Sequence, residues 1–401
     1  MKIIAIQYLE DNPDLFLRSA GEVRLRLRAA LECLPISIVL LGWNLPPSLF
    51  EACADETSRN GARLFRWQPL LTGDSTFTPR PEWRTIGLDG EPVPGFRGLP
   101  EFTFVCPNRP SVQEAVSARI QQVMDTPIQG IFLDRMRFPS PAQNLARYLA
   151  CFCPDCQRQA TLEGFDLRAT QTRLRSAMST LEGALRLLGQ ILSPTVFSIS
   201  SDLTDDLQAF LDFRKRSITR FVHLIAGMAH AKGLEVGLDC LTPAFTQMVG
   251  QDLGALDPDC DWIKIMSYGH ALGPSGMPFE LLCIVGWLSA QFGVGEGEAL
   301  AFLGQFVQLA LPRSNEDLRT KGLAPQVLAG EIRRARLAGV KRLLAGIELV
   351  EIKGVAEPNE HQLRKDLEAF KSACADGLAL SWDLWYMPLK WLKLVNSAWS
   401  E

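Results

Sequence analysis

Three cysteines fall within six residues in Cys151-Phe152-Cys153-Pro154-Asp155-Cys156. At that spacing one tight turn can aim three sulfurs at a single point, and a tetrahedral metal then needs one more ligand. Cys106, in Val105-Cys106-Pro107-Asn108-Arg109-Pro110, is the best fourth candidate. Four thiolates leave no open coordination position, so the expected ion is a structural zinc. The competing readings are free or buried thiols, an iron–sulfur cluster, and a redox or metal-transfer site. The chain has ten cysteines and no apolar leader at its N-terminus, which argues for reduced thiols over a disulfide framework.

The second group of chemically useful residues is acidic. Asp134, Asp239, Glu348 and Asp383 each close a short apolar run of β type, and carboxylates in pairs are what glycosidic cleavage usually needs. Asp134 is the leading catalytic candidate. Pro139 and Pro141 follow it, so it is not simply the cap of a helix that starts at once. Glu348 is the expected partner across the mouth, with Asp239 as the alternative; the bland reading of Glu348 is a loop carboxylate paired with Lys353. Arg137, close behind Asp134, would keep that carboxylate ionised, which favours a nucleophile or stabiliser role for Asp134 over an acid role.

Tyr268 can hydrogen-bond a substrate hydroxyl or a carboxylate. Trp43, Trp67, Trp382 and Trp385 lie at strand ends, where an indole face can stack on a sugar ring, although each is individually more often core or rim packing. Asp383, between two of them, joins this candidate binding set. Of four histidines only His270 comes near the expected mouth, and Gly-x-Ser-x-Gly is absent.

Positioning these groups falls to eight runs read as strands: 3–8, 37–42, 63–68, 130–134, 235–239, 262–266, 342–347 and 378–382. Helical patterns alternate with them, as at 205–232, where Phe210, Phe213, Ile218, Phe221 and Ile225 recur at helical spacing. Eight βα units in order predict an α/β fold, a closed (β/α)8 TIM barrel, here read as one decorated domain over 1–401. Strand one leads into Leu9-Glu10-Asp11-Asn12-Pro13, without the Gly-rich phosphate loop of a doubly wound sheet. Long connections at 69–111, 135–175 and 269–315 follow strands three, four and six, and so build one face, where barrel active sites sit. The first is rich in Pro and Gly, and its Phe96, Phe102 and Phe104 predict an ordered cover.

Composition narrows the partners. Hydrophobic residues make up 47% and charged residues 21%, with a formal net charge of −4, and no Lys/Arg run offers a nucleic-acid surface. The apolar stretch 279–311 is interrupted by glycines and glutamates, so it predicts two packed helices and no membrane span. A cytoplasmic protein acting on carbohydrate is expected, with a homo-oligomer left open.

Two resemblances sharpen this. The segments around Cys106 and Cys151-Phe152-Cys153-Pro154-Asp155-Cys156 resemble the zinc-site segments of glycoside hydrolase family 42 β-galactosidases, which implies a four-cysteine zinc in a (β/α)8 barrel. That family ends strand four in Asn-Glu, whereas this chain has Leu133-Asp134. Gly130-Ile131-Phe132-Leu133-Asp134-Arg135-Met136-Arg137-Phe138-Pro139 is more similar to the Asp-x-x-Arg-Tyr/Phe-Pro segment of the glycoside-hydrolase-like barrels. Gly250-Gln251-Asp252 and Asp261-Trp262-Ile263 match further segments of that group in order. The resemblance implies a glycosidase working through Asp134 and a second carboxylate. A non-catalytic carbohydrate-binding barrel is the alternative.

Overall fold

The computed structural model describes residues 2–99, 102–193, 202–307 and 309–400. Its eight strands are β1 (Ile3–Tyr8), β2 (Ile38–Leu41), β3 (Arg63–Pro69), β4 (Gly130–Asp134), β5 (Glu235–Leu241), β6 (Trp262–Met266), β7 (Leu343–Glu348) and β8 (Gly377–Ser381). They pair in sequence order, all parallel, and β1 closes on β8. The expected TIM barrel is the fold. Nearly every strand residue is buried, as a sheet covered by helices on one side and filled on the other demands.

The closed sheet has to be filled from within, and rings do most of it. Phe65, Trp67, Phe132 and Trp262 form one buried cluster with Trp43, Leu40 and Leu344. The Phe132 and Trp262 rings stack at 5.2 Å, and Phe65 lies 5.9 Å from Trp262. Room for the indole comes from the neighbouring strand. A Cβ on Gly237 would lie 2.2 Å from Trp262 Cζ2, and one on Gly130 would lie 2.4 Å from Phe65 Cζ. Small residues are therefore obligatory opposite large ones.

Helices cover the outside. The longest, Asp202–Ala231, matches the expected amphipathic run, and its Phe210, Phe213, Phe221 and Ile225 are buried. The stretch 279–311 is two helices, Met277–Phe292 and Glu296–Val307, parted at Gly293, whose φ of +69° suits glycine. Among the described residues no helix is long and apolar enough to cross a membrane.

The segment between β3 and the helix Pro110–Met124 is ordered by short antiparallel bridges, Thr72 with Phe104, Arg84 with Val105 and Ile86 with Pro92. It covers the C-terminal ends of the strands. From there Phe96 packs edge-on against Phe102 at 5.9 Å and against Phe279 of the 277–292 helix at 5.6 Å.

Gly237→Ala forces the Trp262 indole out of the layer it shares with Phe132. The expected loss is about 1–3 kcal/mol of stability, as for other overpacked cores, read from urea unfolding. An unchanged midpoint would show that the barrel interior repacks freely.

Candidate active site

Asp134 is the last residue of β4 and points into the barrel mouth. Its Oδ2 accepts a hydrogen bond from Trp67 Nε1 at 3.0 Å, and its Oδ1 accepts one from the Arg135 backbone N–H at 2.5 Å. The second bond requires the chain to turn at once, and Arg135 does so with φ of +51°, a left-handed conformation uncommon for a residue with a side chain. The Arg135 Nε lies 3.9 Å from Asp134 Oδ2, and another guanidinium nitrogen lies 3.5 Å from Glu10 Oε1.

Asp239 stands beside Asp134. The register that pairs Phe132 with Gly237 and Leu133 with Leu238 sets the two aspartates level on neighbouring strands. Both line a cavity of about 200 Å³ at the mouth, with Gln7, Glu10, Trp67, Arg135, Arg137, Tyr268 and Trp382. Lys264, from the middle of β6, points inward and is fully buried; its Nζ donates to Asp239 Oδ2 at 3.0 Å and to Gln7 Oε1 at 3.1 Å. Gln7 Oε1 also accepts from Ser381 Oγ at 2.5 Å.

Asp239 Oδ1 has no hydrogen-bond partner among the described residues. Burial pushes the Asp239 carboxyl up to about 7; Lys264 opposes that shift and the charge of Asp134 adds to it. Glu10, on the loop after β1, is also raised to about 7 by desolvation, with Arg135 opposing and Asp383 and Asp134 adding.

Of the expected site residues, Asp134, Asp239, Arg137, Tyr268, Trp67 and Trp382 come together around this cavity. Tyr268 is buried and meets Trp382 edge-on at 5.8 Å. Glu348, expected opposite Asp134, is not among the residues that line it. Its Oε1 accepts the His270 backbone N–H at 2.8 Å, and it borders a separate small cleft with Asn359, Gln362 and Asp366. Burial raises its carboxyl to about 7, with the nearby His270 opposing. His270 turns its ring to Asp366, Nε2 to Oδ2 at 2.9 Å, and so away from any role at the mouth.

Asp383 and Trp385 are elsewhere as well. The carboxylate of Asp383 accepts three backbone N–H groups, from Leu9 at 3.0 Å, Glu10 at 3.2 Å and Trp385 at 2.9 Å. Those bonds fix the loop that carries Glu10, and the carboxylate is spent on them. Trp385 lies under the Arg18 guanidinium, 4.1 Å from the ring centroid. Trp43 is buried against Trp67, edge-on at 5.1 Å, and presents no face to the mouth cavity.

Sequence reasoning missed Glu10, Gln7 and Lys264. Lys264 did carry a signal: a charged residue in the middle of Trp262-Ile263-Lys264-Ile265-Met266, in phase with the inward-facing ring of Trp262. Conversely, Gln251 and Asp252 prove local. Gln251 Oε1 accepts the Leu241 N–H at 2.9 Å, and Asp252 caps the turn 253–256.

The four expected cysteine ligands do come together. The sulfurs of Cys106, Cys151, Cys153 and Cys156 all lie within 4.8 Å of one another and are buried; Cys106 lies 3.4 Å from Cys156 and 3.5 Å from Cys153. A tetrahedral ion with metal–sulfur bonds of about 2.3 Å needs sulfurs about 3.8 Å apart, so the group can hold a metal ion. The Ile86 N–H reaches Cys151 Sγ and the Asn108 amide reaches Cys156 Sγ, each at 3.4 Å. Around the cluster, Phe152 N–H donates to Ile86 O, Gly87 bridges Ala150, and Arg147 pairs with Asp89. The segments after β3 and β4 are thereby joined.

A cation completes this centre. Arg214 is fully buried, and none of its three side-chain nitrogens has a hydrogen-bond partner among the described residues. Its guanidinium lies over the Phe138 ring at 5.0 Å and the Phe210 ring at 5.6 Å. Burial pulls its pKa down to about 9, and the Cys151 and Cys156 thiols oppose that. Gly250, at φ +75°, closes the space behind it: a Cβ there would lie 3.0 Å from Phe138 and 3.2 Å from Arg214 Cβ.

No family profile matches the chain, and no curated protein matches it by sequence. Solved structures do match it in fold. The glycoside hydrolase domain of PgaB (BpsB) from Bordetella bronchiseptica is 12% identical over 96% of this chain and 94% of its own, with a TM-score of 0.50. A β-galactosidase from the haloarchaeon Halorubrum lacusprofundi is 13% identical at a TM-score of 0.60, over 99% of this chain but 57% of the enzyme. An α-L-fucosidase from Paenibacillus thiaminolyticus gives 12% and 0.51, with 49% of the enzyme covered. The chain thus spans about half to three-fifths of those two enzymes, and at such identities the likeness is one of fold.

Replacing Asp383 by Ala strands three backbone N–H groups. A loss of about 1–3 kcal/mol is expected for the buried donors left unpaired, measured by thermal unfolding. A Tm equal to that of the parent protein would mean that water replaces the carboxylate at no cost.

Proposed function

We propose that the barrel hydrolyses a glycosidic bond, with Asp239 as the proton donor and Asp134 as the carboxylate that attacks or stabilises the sugar carbon. The observation that carries this is the pair itself: two acidic side chains level on adjacent strands, lining one cavity at the barrel mouth. Neighbouring strands lie about 4.8 Å apart, and carboxyl pairs about 5–10 Å apart serve glycoside hydrolysis. Their environments differ in the sense that acid and base roles require. Asp239 is buried, raised to about 7 and has an oxygen with no partner, so it carries a proton near neutrality. Asp134 has both oxygens held by donors, which fixes its direction. The partly exposed Trp382 borders the cavity as a stacking face, while the buried Trp67 orients Asp134 through its indole N–H, and the glycoside hydrolase folds of the structural neighbours accord with this chemistry.

A second reading, a carbohydrate-binding barrel without turnover, is favoured by the Lys264–Asp239 pair, which can stand as a self-sufficient core ion pair. The two readings part on mutation. Asp134→Asn and Asp239→Asn should each lower kcat on a responsive aryl glycoside by about 10²–10⁴-fold while the circular dichroism spectrum is kept. Turnover by Asp134→Asn at the parent rate would remove Asp134 from the mechanism. Sugar binding by the parent protein without any turnover would establish the second reading.

The pH dependence follows with a definite sign. A donor must hold its proton, so activity should fall as pH rises through about 7, the value to which burial lifts Asp239. Stability runs the same way: the folded carboxyl holds a proton between its ordinary value and about 7 that the unfolded chain releases, so this group's contribution declines across that window. A rate profile flat from pH 6 to 8.5 would contradict the assignment of Asp239.

The cysteine centre we assign to a structural zinc. Four thiolates around a divalent ion carry a net charge of −2, and Arg214, buried with no acidic partner among the described residues, brings that to −1; a buried charge needs such compensation. One zinc per chain is expected by elemental analysis. Cys153→Ser should lose it and lower Tm, since binding free energy here is folding free energy. Arg214→Met should speed loss of zinc to a chelator by about 10–100-fold, the usual size for a group supporting a metal site. A metal-free parent protein with the same Tm as Cys153→Ser would refute the centre.

A further inference from the structure

Beside the mouth lies a second, smaller cavity of about 50 Å³, between the segments that follow β3, β4 and β6. Phe96, Phe102, Phe104 and Phe279 supply apolar walls, and Arg137 and Glu280 are its buried charges. Phe102, Arg137 and Pro274 border both cavities, so the smaller one is a side chamber of the larger.

Its polar groups are unequally satisfied. Glu280 is fully engaged: Oε2 accepts from Ser140 Oγ at 2.5 Å, and Oε1 accepts from the Ser275 N–H at 3.1 Å. Arg137 is not. Only 7% exposed, its guanidinium lies 5.0 Å from the Phe104 ring centroid and makes two long hydrogen bonds of 3.4 Å, to Phe138 O and Ser275 Oγ, and its Nε has no hydrogen-bond partner among the described residues. No ion pair within 4.0 Å joins it to a carboxylate among the described residues. Of the five N–H donors of a guanidinium, most are unspent at the border of the mouth cavity.

We propose that this chamber is a subsite for an acetyl group carried by the sugar, on nitrogen or on oxygen, with its carbonyl oxygen on the Arg137 guanidinium and its methyl among the phenylalanines. This rests on the glycosidase reading and names part of its substrate. Size sets the first limit. A volume of about 50 Å³ has room for roughly three to five water-sized groups, at about 10–15 Å³ each, which admits the three heavy atoms of an acetyl group and excludes a sugar ring. Polarity sets the second. A hydroxyl would leave the aromatic walls without a partner. A carboxylate would bring a second charged oxygen next to Glu280 and against rings that cannot solvate it. A carbonyl with a methyl tip satisfies the donor and the walls together.

The test is binding, which separates the subsite from catalysis. Calorimetric titration of the Asp134→Asn protein with the methyl glycosides of glucose, galactose, N-acetylglucosamine and N-acetylgalactosamine, and with a 6-O-acetyl glucoside, measures the preference directly. At least one acetylated sugar should bind about ten-fold or more tightly than its plain parent, and the N- and O-acetyl arms distinguish where the group is carried. That preference should fall below about two-fold in Arg137→Met, which removes the donor, and in Phe279→Trp, which fills the chamber. Equal binding of acetylated and plain sugars overturns the subsite and leaves the glycosidase reading intact. A preference that survives in both variants also overturns it. No binding of any of these sugars overturns the sugar-binding mouth and the subsite with it.

Discussion

A single buried ammonium organises the layer between the barrel core and its mouth. Below it the interior is sealed by rings, Phe132 and Trp262 in contact across β4 and β6, so Lys264 cannot reach solvent from beneath. It must find acceptors at its own level, and it takes them from β1 and β5 as Gln7 and Asp239. Gln7 in turn receives Ser381 from β8. One cation thus links side chains of four strands. It also fixes which oxygen of Asp239 is occupied, and therefore which is left over. Removing a full charge from water is tolerable only with such partners, so the layer is obligatory once a lysine stands at that position.

At the mouth itself the signs are mixed. Glu10, Asp134, Asp239, Arg135 and Arg137 line the cavity, with Lys264 behind them on Asp239, and that mixture lets so many ionisable groups stand close together. The balance is uneven in detail. Arg135 sits close to Asp134 and Glu10, Lys264 is given to Asp239, and Arg137 has no carboxylate within 4.0 Å among the described residues. Electrostatic preorganisation of this kind places donors before substrate arrives, so they need not reorganise when charge develops.

The barrel was legible because its strands are short apolar runs whose inward residues must alternate in size, and that pattern is local. The cysteine cluster was legible for a similar reason: three of its members fall within six residues, and the fourth sits just ahead of the helix Pro110–Met124. Asp134 was readable from its place at a strand end without a helix to cap. What sequence could not supply was the use each strand-end carboxylate finds. Glu348 has the inward phase of Leu344 and Gly346, yet a backbone N–H of the loop after β6 claims it. Asp383 likewise meets three amides from distant segments. Such partners depend on how loops close, and no spacing within one segment records that. Trp43 lies off the mouth cavity for the same cause, since a neighbouring indole covers it.

The joining of the segments after β3 and β4 has a mechanical consequence. Thiols, a backbone bridge, an ion pair and backbone hydrogen bonds cross between them, so the two segments form one cross-linked unit. The segment after β6 meets them along a different kind of seam, made of side chains: the edge of Phe96 on Phe279, Ser140 Oγ on Glu280 and Arg137 on Ser275 Oγ, with the 277–292 helix packed on the turn 141–143. Among the described residues no backbone bridge crosses this seam, whereas one joins the first two segments. The rim is therefore built asymmetrically, tied through the backbone on one side and through side chains on the other, and Arg137 stands where the two meet.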